Sequence, residues 1–288
     1  MIKLKGCYSL HREERMRRME SHLLFFDIDG TLRDENTGEI SPKTQKSIEQ
    51  AREQGHLCFV NTGRSFSELD PEVVEVGFDG VVCGCGTYIY YNGETILKEE
   101  IAGKKAEWII EQITKNKIQA LLEGEKYFYI SRDTDNEKLL LVKKYFGDEV
   151  NKRCCFWEDE KPKFQKLSIW LGSDSNFASF YEALQEEFDF IKRSDDFYEV
   201  IPKGYSKASG IAYLADKLNV EKKNTVALGD SANDLSMLTY AGVGVAMGNS
   251  ASQVKKKVDF VTKSVEEEGV WYALQQLGFL GMEEQAYE

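Results

Sequence analysis

Four apolar residues, Leu23-Leu24-Phe25-Phe26, run without a break into Asp27-Ile28-Asp29-Gly30-Thr31-Leu32. So short a run, with no polar alternation, fits a parallel strand buried on both faces. It also delivers two carboxylates to the strand's carboxyl end, the edge at which open α/β sheets hold ligands. Two acids so placed repel each other and are penalised by burial, and a bound cation or a retained proton relieves that cost. Taken alone, the pair reads more simply as an exposed acidic turn, so the rest of the chain decides.

The rest alternates. Ser41-Pro42 opens a helix, with Pro at the first helical position, and Gly55 stops it. Residues 56–60 are the next strand, making 23–60 a βαβ unit and implying a parallel sheet packed with helices. A third strand is expected at 78–83. A hairpin follows, 88–91 and 95–97, across Asn92-Gly93. The pattern then changes: helix 102–114, strands 118–122 and 127–130, helix 137–146, strand 164–171, helix 175–188, strands 190–192 and 197–201. Alternation returns with helix 207–218, strand 225–228, helix 234–240 and strand 243–246. At 288 residues the chain has length for about two domains. The expected fold class is α/β, a Rossmann-like three-layer core interrupted by an inserted α+β module. The expected divisions are 1–20 (extension), 21–100 (core), 101–195 (insertion) and 196–288 (core). Residues 1–20 carry six Lys/Arg and three Glu with little apolar periodicity, and read as a disordered or loosely docked arm.

The formal net charge of −12 argues against nucleic acid or an anionic membrane surface as partner. A phosphorylated ligand would need a local positive site. No apolar run reaches the roughly 18 residues of a membrane span. The six cysteines (7, 58, 83, 85, 154 and 155) lack Cys-x2-Cys spacing. With no secretory apolar region, buried or inert thiols in a reducing cytoplasm are expected.

Two more strands bring polar groups to the same sheet edge. The strand ending at 60 is followed by Asn61-Thr62-Gly63-Arg64, whose hydroxyl and free amides suit a phosphate oxygen. The strand ending at 228 is followed by Gly229-Asp230-Ser231-Ala232-Asn233-Asp234, and Lys207 opens a helix. Four carboxylates, a lysine and a threonine on one rim suit a phosphate with Mg²⁺, a hard cation that takes carboxylate, water and phosphate oxygens. Arg64 is left open between binding substrate phosphate and pairing with a carboxylate. Asn249 reads as a turn residue. Tyr127, Phe128, Tyr129 and Trp157 are candidate substrate contacts, although strand alternation turns at least one of the first three toward a core.

Together, Phe-Phe-Asp27-Ile-Asp29-Gly30-Thr31-Leu, Thr62-Gly63-Arg64, Lys207 and Gly229-Asp230-x-x-Asn233-Asp234 resemble, in order, the four motifs of the haloacid dehalogenase (HAD) superfamily. The resemblance spans about 21–280. Asp27 and Thr62 are 35 positions apart (62 − 27), too few for a cap domain, whereas Thr62 and Lys207 are 145 apart (207 − 62). Room for a cap between the second and third motifs is the C2 arrangement, and the α+β pattern there resembles the Cof-type, subclass IIB phosphatases. Two positions depart from that group: Gly84-Cys85-Gly86-Thr87 stands in place of Asn-Gly-Ala, and Lys207-Ala208 in place of Lys-Gly.

The resemblance implies a Mg²⁺-dependent phosphatase of small phosphorylated metabolites, sugar phosphates first; a monomer or small homo-oligomer is expected. It implies Asp27 as nucleophile and Asp29 as general acid and base. Mg²⁺ would be held by Asp27, the Asp29 carbonyl and Asp230, supported by Asn233 and Asp234. Gly30, Thr62, Gly63 and Lys207 would receive the phosphoryl group. Two alternatives stand beside it: a phosphomannomutase-like phosphomutase with the same motifs, and a non-catalytic binding protein on the same fold.

Overall fold

The computed structural model describes residues 21–281 apart from 136, 138, 140–147 and 149. Residues 1–20 and nearly all of the helix expected over 137–146 therefore lie outside the described residues.

The strand that opened the argument, β1 (Leu23–Phe26), is buried at all four positions. It sits inside an eight-stranded sheet, parallel to β2 (Leu57–Asn61) on one side and β12 (Thr225–Gly229) on the other. Beyond β2 come β3 (Gly80–Cys83), β4 (Tyr88–Tyr91) and β5 (Glu94–Lys98); beyond β12 come β13 (Val243–Ala246) and β14 (Phe260–Val261). The sheet is parallel from β14 to β3, and the β4–β5 hairpin adds an antiparallel edge. Its turn residues Asn92 (φ 49°) and Gly93 (φ 88°) both have positive φ, as a two-residue hairpin turn demands.

The period-2 geometry of β1 divides the core. Leu24 and Phe26 pack with Ile48 and Ala51 of the helix Pro42–Glu53 and with Val270, Ala273 and Leu274 of the helix Gly269–Gln276. Leu23 and Phe25 face Ile211 and Leu214 of the helix Lys207–Lys217 and Met237 and Leu238 of the helix Leu235–Tyr240. Three layers follow, with both faces of the sheet covered. Ser41 caps the first helix by accepting the Thr44 N–H at 3.1 Å.

A second sheet of six strands holds β6 (Ile118–Glu123), β7 (Phe128–Ile130), β8 (Cys154–Phe156), β9 (Lys166–Leu171), β10 (Phe188–Lys192) and β11 (Phe197–Pro202). Their order is β10-β11-β9-β6-β7-β8, antiparallel except between β7 and β8. One face is packed by Ile109 and Ile113 of the helix Gly103–Lys115 and by Phe180 and Leu184 of the helix Phe177–Leu184. Because alternate side chains face opposite ways, Leu167 and Ile169 lie on that face, while Lys166, Ser168 and Trp170 lie on the other.

The second sheet runs to residue 202, past the boundary expected at 195, because β11 pairs with β9 and β10. The helix expected over 175–188 stops at Leu184: Phe188 to Lys192 pair with Tyr198 to Pro202 instead, and that ladder overrides the helical pattern. Among the described residues, the thiols of Cys58, Cys83 and Cys85 are buried and those of Cys154 and Cys155 partly so. No helix there is long and apolar enough to cross a membrane.

Candidate active site

The carboxyl ends of β1, β2 and β12 converge on one cavity of about 350 Å³, closed on its far side by the second sheet. Asp27, Asp29, Thr62, Gly63, Arg64, Asp230 and Asn233 line it. The polar residues expected at the sheet edge are thus brought together.

Lys207 ties them. It is the first residue of its helix, an unfavourable end for a cation, and it is 2% exposed. Two carboxylates compensate: its Nζ donates to Asp27 Oδ1 at 2.6 Å and to Asp234 Oδ1 at 2.5 Å. Burial would pull the lysine's pKa down, but Asp234 and Asp27 outweigh it and push the pKa above the ordinary range. The backbone of Lys207 is held too, by Asn61 Nδ2 donating to its carbonyl at 2.9 Å.

Asp234 is wholly buried, and its second oxygen accepts the backbone N–H of Asp230 and of Ser231, each at 3.0 Å. It therefore shapes the 230–234 turn as well as holding Lys207. Asn233 accepts the Ser231 hydroxyl. Thr31 donates to Asp230 Oδ1 at 3.4 Å. Gly30 has φ +79°, and a Cβ there would come within 2.6 Å of Asp230 Oδ2. A side chain at this position would be strained and would displace that carboxylate.

One oxygen from each of Asp27, Asp230 and Asp234 lies within 4.8 Å of the others. Burial above all, then the charge of Asp234, pushes the Asp27 pKa up to about 8, with Lys207 opposing. Burial and Asp234 likewise push Asp230 up to about 7. Three carboxylates around one lysine are thus short of positive charge. An all-oxygen donor set with that deficit fits a hard divalent cation.

The sign of the pH dependence follows. An aspartate whose folded pKa exceeds its unfolded value of 3.8 holds a proton in the folded state that the unfolded chain has lost. Its contribution to stability is complete below the unfolded pKa and is lost as pH rises toward about 8. A metal must displace those protons, so its affinity rises over the same interval. The gain in melting temperature on adding Mg²⁺ is expected to grow steadily from pH 5 to pH 8 and to grow less in Asp27→Asn. Scanning calorimetry across that range checks it, and a gain independent of pH would rule it out.

Arg64, left open by the sequence, pairs with a carboxylate: it grips Asp29 through two hydrogen bonds, 2.8 and 3.0 Å, and also reaches Asp70 at 2.9 Å. Asp70 in turn meets Arg33 at 2.6 Å. Asn249 does more than turn the chain. Its Nδ2 donates to the Gly30 carbonyl at 2.9 Å and its Oδ1 accepts the Val265 N–H at 3.0 Å, bracing the first motif against the last loop. The unusual 84–86 segment carries three consecutive positive φ values (57°, 56° and 91°). Cys85 donates its N–H to the Thr62 carbonyl, and Gly86 lies so close to Ser206 that a Cβ would come within 2.3 Å of its carbonyl oxygen. The segment props both the second motif and the start of the Lys207 helix.

None of Tyr127, Phe128, Tyr129 and Trp157 lines the cavity; Phe128 and Tyr129 are buried and Tyr127 is exposed. The wall from the second sheet is instead built by Leu121, Glu123, Lys166, Ser168, Trp170, Arg193, Phe197 and Glu199. The sequence did carry a signal for them. Lys166, Ser168 and Trp170, like Glu199 beside Val200, place polar or large residues at period 2 within otherwise apolar strands.

A parallel α/β core with an acidic sheet edge beneath a second sheet is the framework of a phosphoryl-transfer enzyme. The chain belongs to the haloacid dehalogenase-like hydrolases, whose family model matches residues 24–274, and within them it is a phosphatase of the Cof type. It is 31% identical over 263 residues to YkrA of Bacillus subtilis (strain 168), covering 91% of this chain and all of YkrA. It is 25% identical over 288 residues to the 5-amino-6-(5-phospho-D-ribitylamino)uracil phosphatase YwtE of the same organism, covering 87% of this chain and 96% of YwtE. Among solved structures it resembles the HAD subclass IIB sugar phosphatase BT4131, with a TM-score of 0.73 and 26% identity over 90% of this chain and all of that one.

Proposed function

We propose that this phosphatase hydrolyses monoesters of small phosphorylated metabolites, sugar or polyol phosphates foremost, in a Mg²⁺-dependent reaction through an aspartyl-phosphate on Asp27. The observation that carries it is the buried contact of Lys207 with Asp27 and Asp234, directly beneath the cavity that Asp27 lines. That cavity is small enough for a metabolite. The names of BT4131 and YwtE, which act on a sugar phosphate and a ribityl phosphate, support the choice of class.

Asp27, Asp230 and the Asp29 carbonyl would hold the metal, with Asp234 beside them and Asn233 steadying the turn. When bound, the metal neutralises phosphate oxygens and the carboxylate that approaches them. The Asp27 carboxylate attacks phosphorus and the bond to the leaving oxygen breaks. Asp29 gives its proton to that oxygen, then takes one from the water that attacks phosphorus, as the bond to Asp27 breaks and inorganic phosphate leaves. Arg64, which grips both Asp29 oxygens, must release one of them before Asp29 can carry the proton it transfers. Lys207, the Thr62 hydroxyl and the amides of Gly30 and Gly63 meet the charge on the transferring oxygens. The six-stranded sheet serves as the cap, keeping bulk water from the reaction.

The test is phosphate release from a panel of phosphorylated metabolites with Mg²⁺, with chelator and with Ca²⁺. Release with Mg²⁺, little with Ca²⁺ and none with chelator is expected. Ca²⁺ accepts looser coordination than Mg²⁺ and would hold the reacting groups less tightly. Full activity in chelator would refute the metal assignment.

A further inference from the structure

We infer that Asp70 is a positioning residue for the proton transfers at Asp29, holding Arg64 in place while one Asp29 oxygen is released. The inference rests on the phosphatase reading and concerns four side chains of alternating charge, Asp29, Arg64, Asp70 and Arg33.

The four close a ring. Arg64 sits edge-on against Asp29 through Nε and Nη2, and its third nitrogen, Nη1, donates to Asp70 Oδ2 at 2.9 Å. The same oxygen meets Arg33 Nη1 at 2.6 Å. Backbone completes the circuit. Arg33 donates its N–H to the Ile28 carbonyl and its own carbonyl accepts the Gly30 N–H, each at 2.9 Å, in the turn that carries Asp29. The segments that follow β1 and β2 are thereby tied together through Asp70.

The local fold accounts for neither outer member. Asp70 stands at the N-cap of the helix Pro71–Glu75, where an aspartate ordinarily accepts a helix N–H. Here its side chain makes no such bond and meets the two arginines instead. Arg33 is 8% exposed, and its Nε has no hydrogen-bond partner among the described residues. A buried donor left unpaired is a cost to stability.

The chemistry at Asp29 supplies the reason. The Arg64 fork matches a carboxylate with both oxygens accepting. A carboxyl group that is to give a proton needs one oxygen for it, so the fork must open on one side. Once the proton has passed to the ester oxygen and the bond from that oxygen to phosphorus has broken, Asp29 is an anion that the fork can grip again. A guanidinium held by Asp29 alone would follow that side chain as it moved. Anchored by Nη1 on Asp70, it pivots about a fixed point and returns. The Asp70 charge also offsets the repulsion between two guanidinium groups drawn to one oxygen.

Asp70→Asn tests this. Asn keeps the shape and the accepting oxygen and caps a helix as well as Asp does, but it loses the charge that holds the arginines. p-Nitrophenyl and p-methylphenyl phosphate are similar in shape, yet nitrophenolate leaves without a proton and methylphenolate needs one. Their kcat/KM values report the steps up to that departure, before water attacks. The ratio of the first to the second is expected to rise at least about tenfold over wild type in Asp70→Asn, as it should in Asp29→Asn. A rise in Asp29→Asn alone, with Asp70→Asn lowering both esters by one factor or lowering neither, would overturn the inference. No rise in Asp29→Asn would strike the proton-transfer role of Asp29, and the inference with it. Hydrolysis of neither ester by the wild type would strike the phosphatase reading itself.

Discussion

Asp27→Asn is expected to lower phosphate release at least about 10⁴-fold, because removing the proposed nucleophile stops the covalent step while substrate binding persists. The variant should fold. Asn is nearly isosteric, its oxygen can still accept from Lys207, and the carboxylate it removes is one whose ionisation burial already opposes. Its metal-free form is therefore expected to be at least as stable as the wild type at pH 8. Activity and a melting curve on the same sample check both halves. Activity above about a hundredth of wild type would end the assignment, and an unfolded variant would remove the comparison's meaning, which is why Asp29→Asn accompanies it. That change removes proton transfer together with the bidentate pair to Arg64, and should cost at least roughly 10²–10⁴-fold.

Lys207→Met is expected to have the largest effect on stability. The side chain is of similar length, but Asp27 and Asp234 lose the cation that touches both. Breaking a buried ion pair by removing one partner costs about 3–5 kcal/mol, since the charge left behind is uncompensated. For a chain of this length that is a fall of roughly 10 °C in melting temperature. Mg²⁺ should restore part of it, because a ligand that binds only the folded state stabilises it. A variant that melts with the wild type would mean that the carboxylates already stand neutral, and that Lys207 matters for turnover alone.

The sheet edge was legible because strands end where their apolar runs end. Asp27, Thr62 and Asp230 each follow such a run, so the chain order of apolar and polar residues places all three on one rim. Lys207 was legible through motif order and through the Ser-capped helix it begins. The grip of Arg64 on Asp29 was not, since two side chains 35 residues apart meet only through the register of β1 and β2. Nor was the brace from Asn249 to Gly30, which spans 219 residues and depends on how the last loop returns. The far wall of the cavity was hidden for a further reason. Which face of the second sheet looks toward Asp27 is fixed by the helices Gly103–Lys115 and Phe177–Leu184 covering the other face, a tertiary fact beyond strand alternation. The short strands β8 and β14 carry too few residues for any period to show.

The two segments joining the sheets run side by side: Tyr205, just after β11, donates its hydroxyl to Glu99, just after β5, at 2.9 Å. About 100 residues separate these points. Closing a disordered loop of that length costs about 4 kcal/mol from the (3/2)RT ln n dependence alone. A second sheet that forms first already holds its ends together and removes most of that cost. Mutations that loosen its strands are therefore expected to slow assembly of the eight-stranded sheet, which refolding rates followed by stopped flow would show.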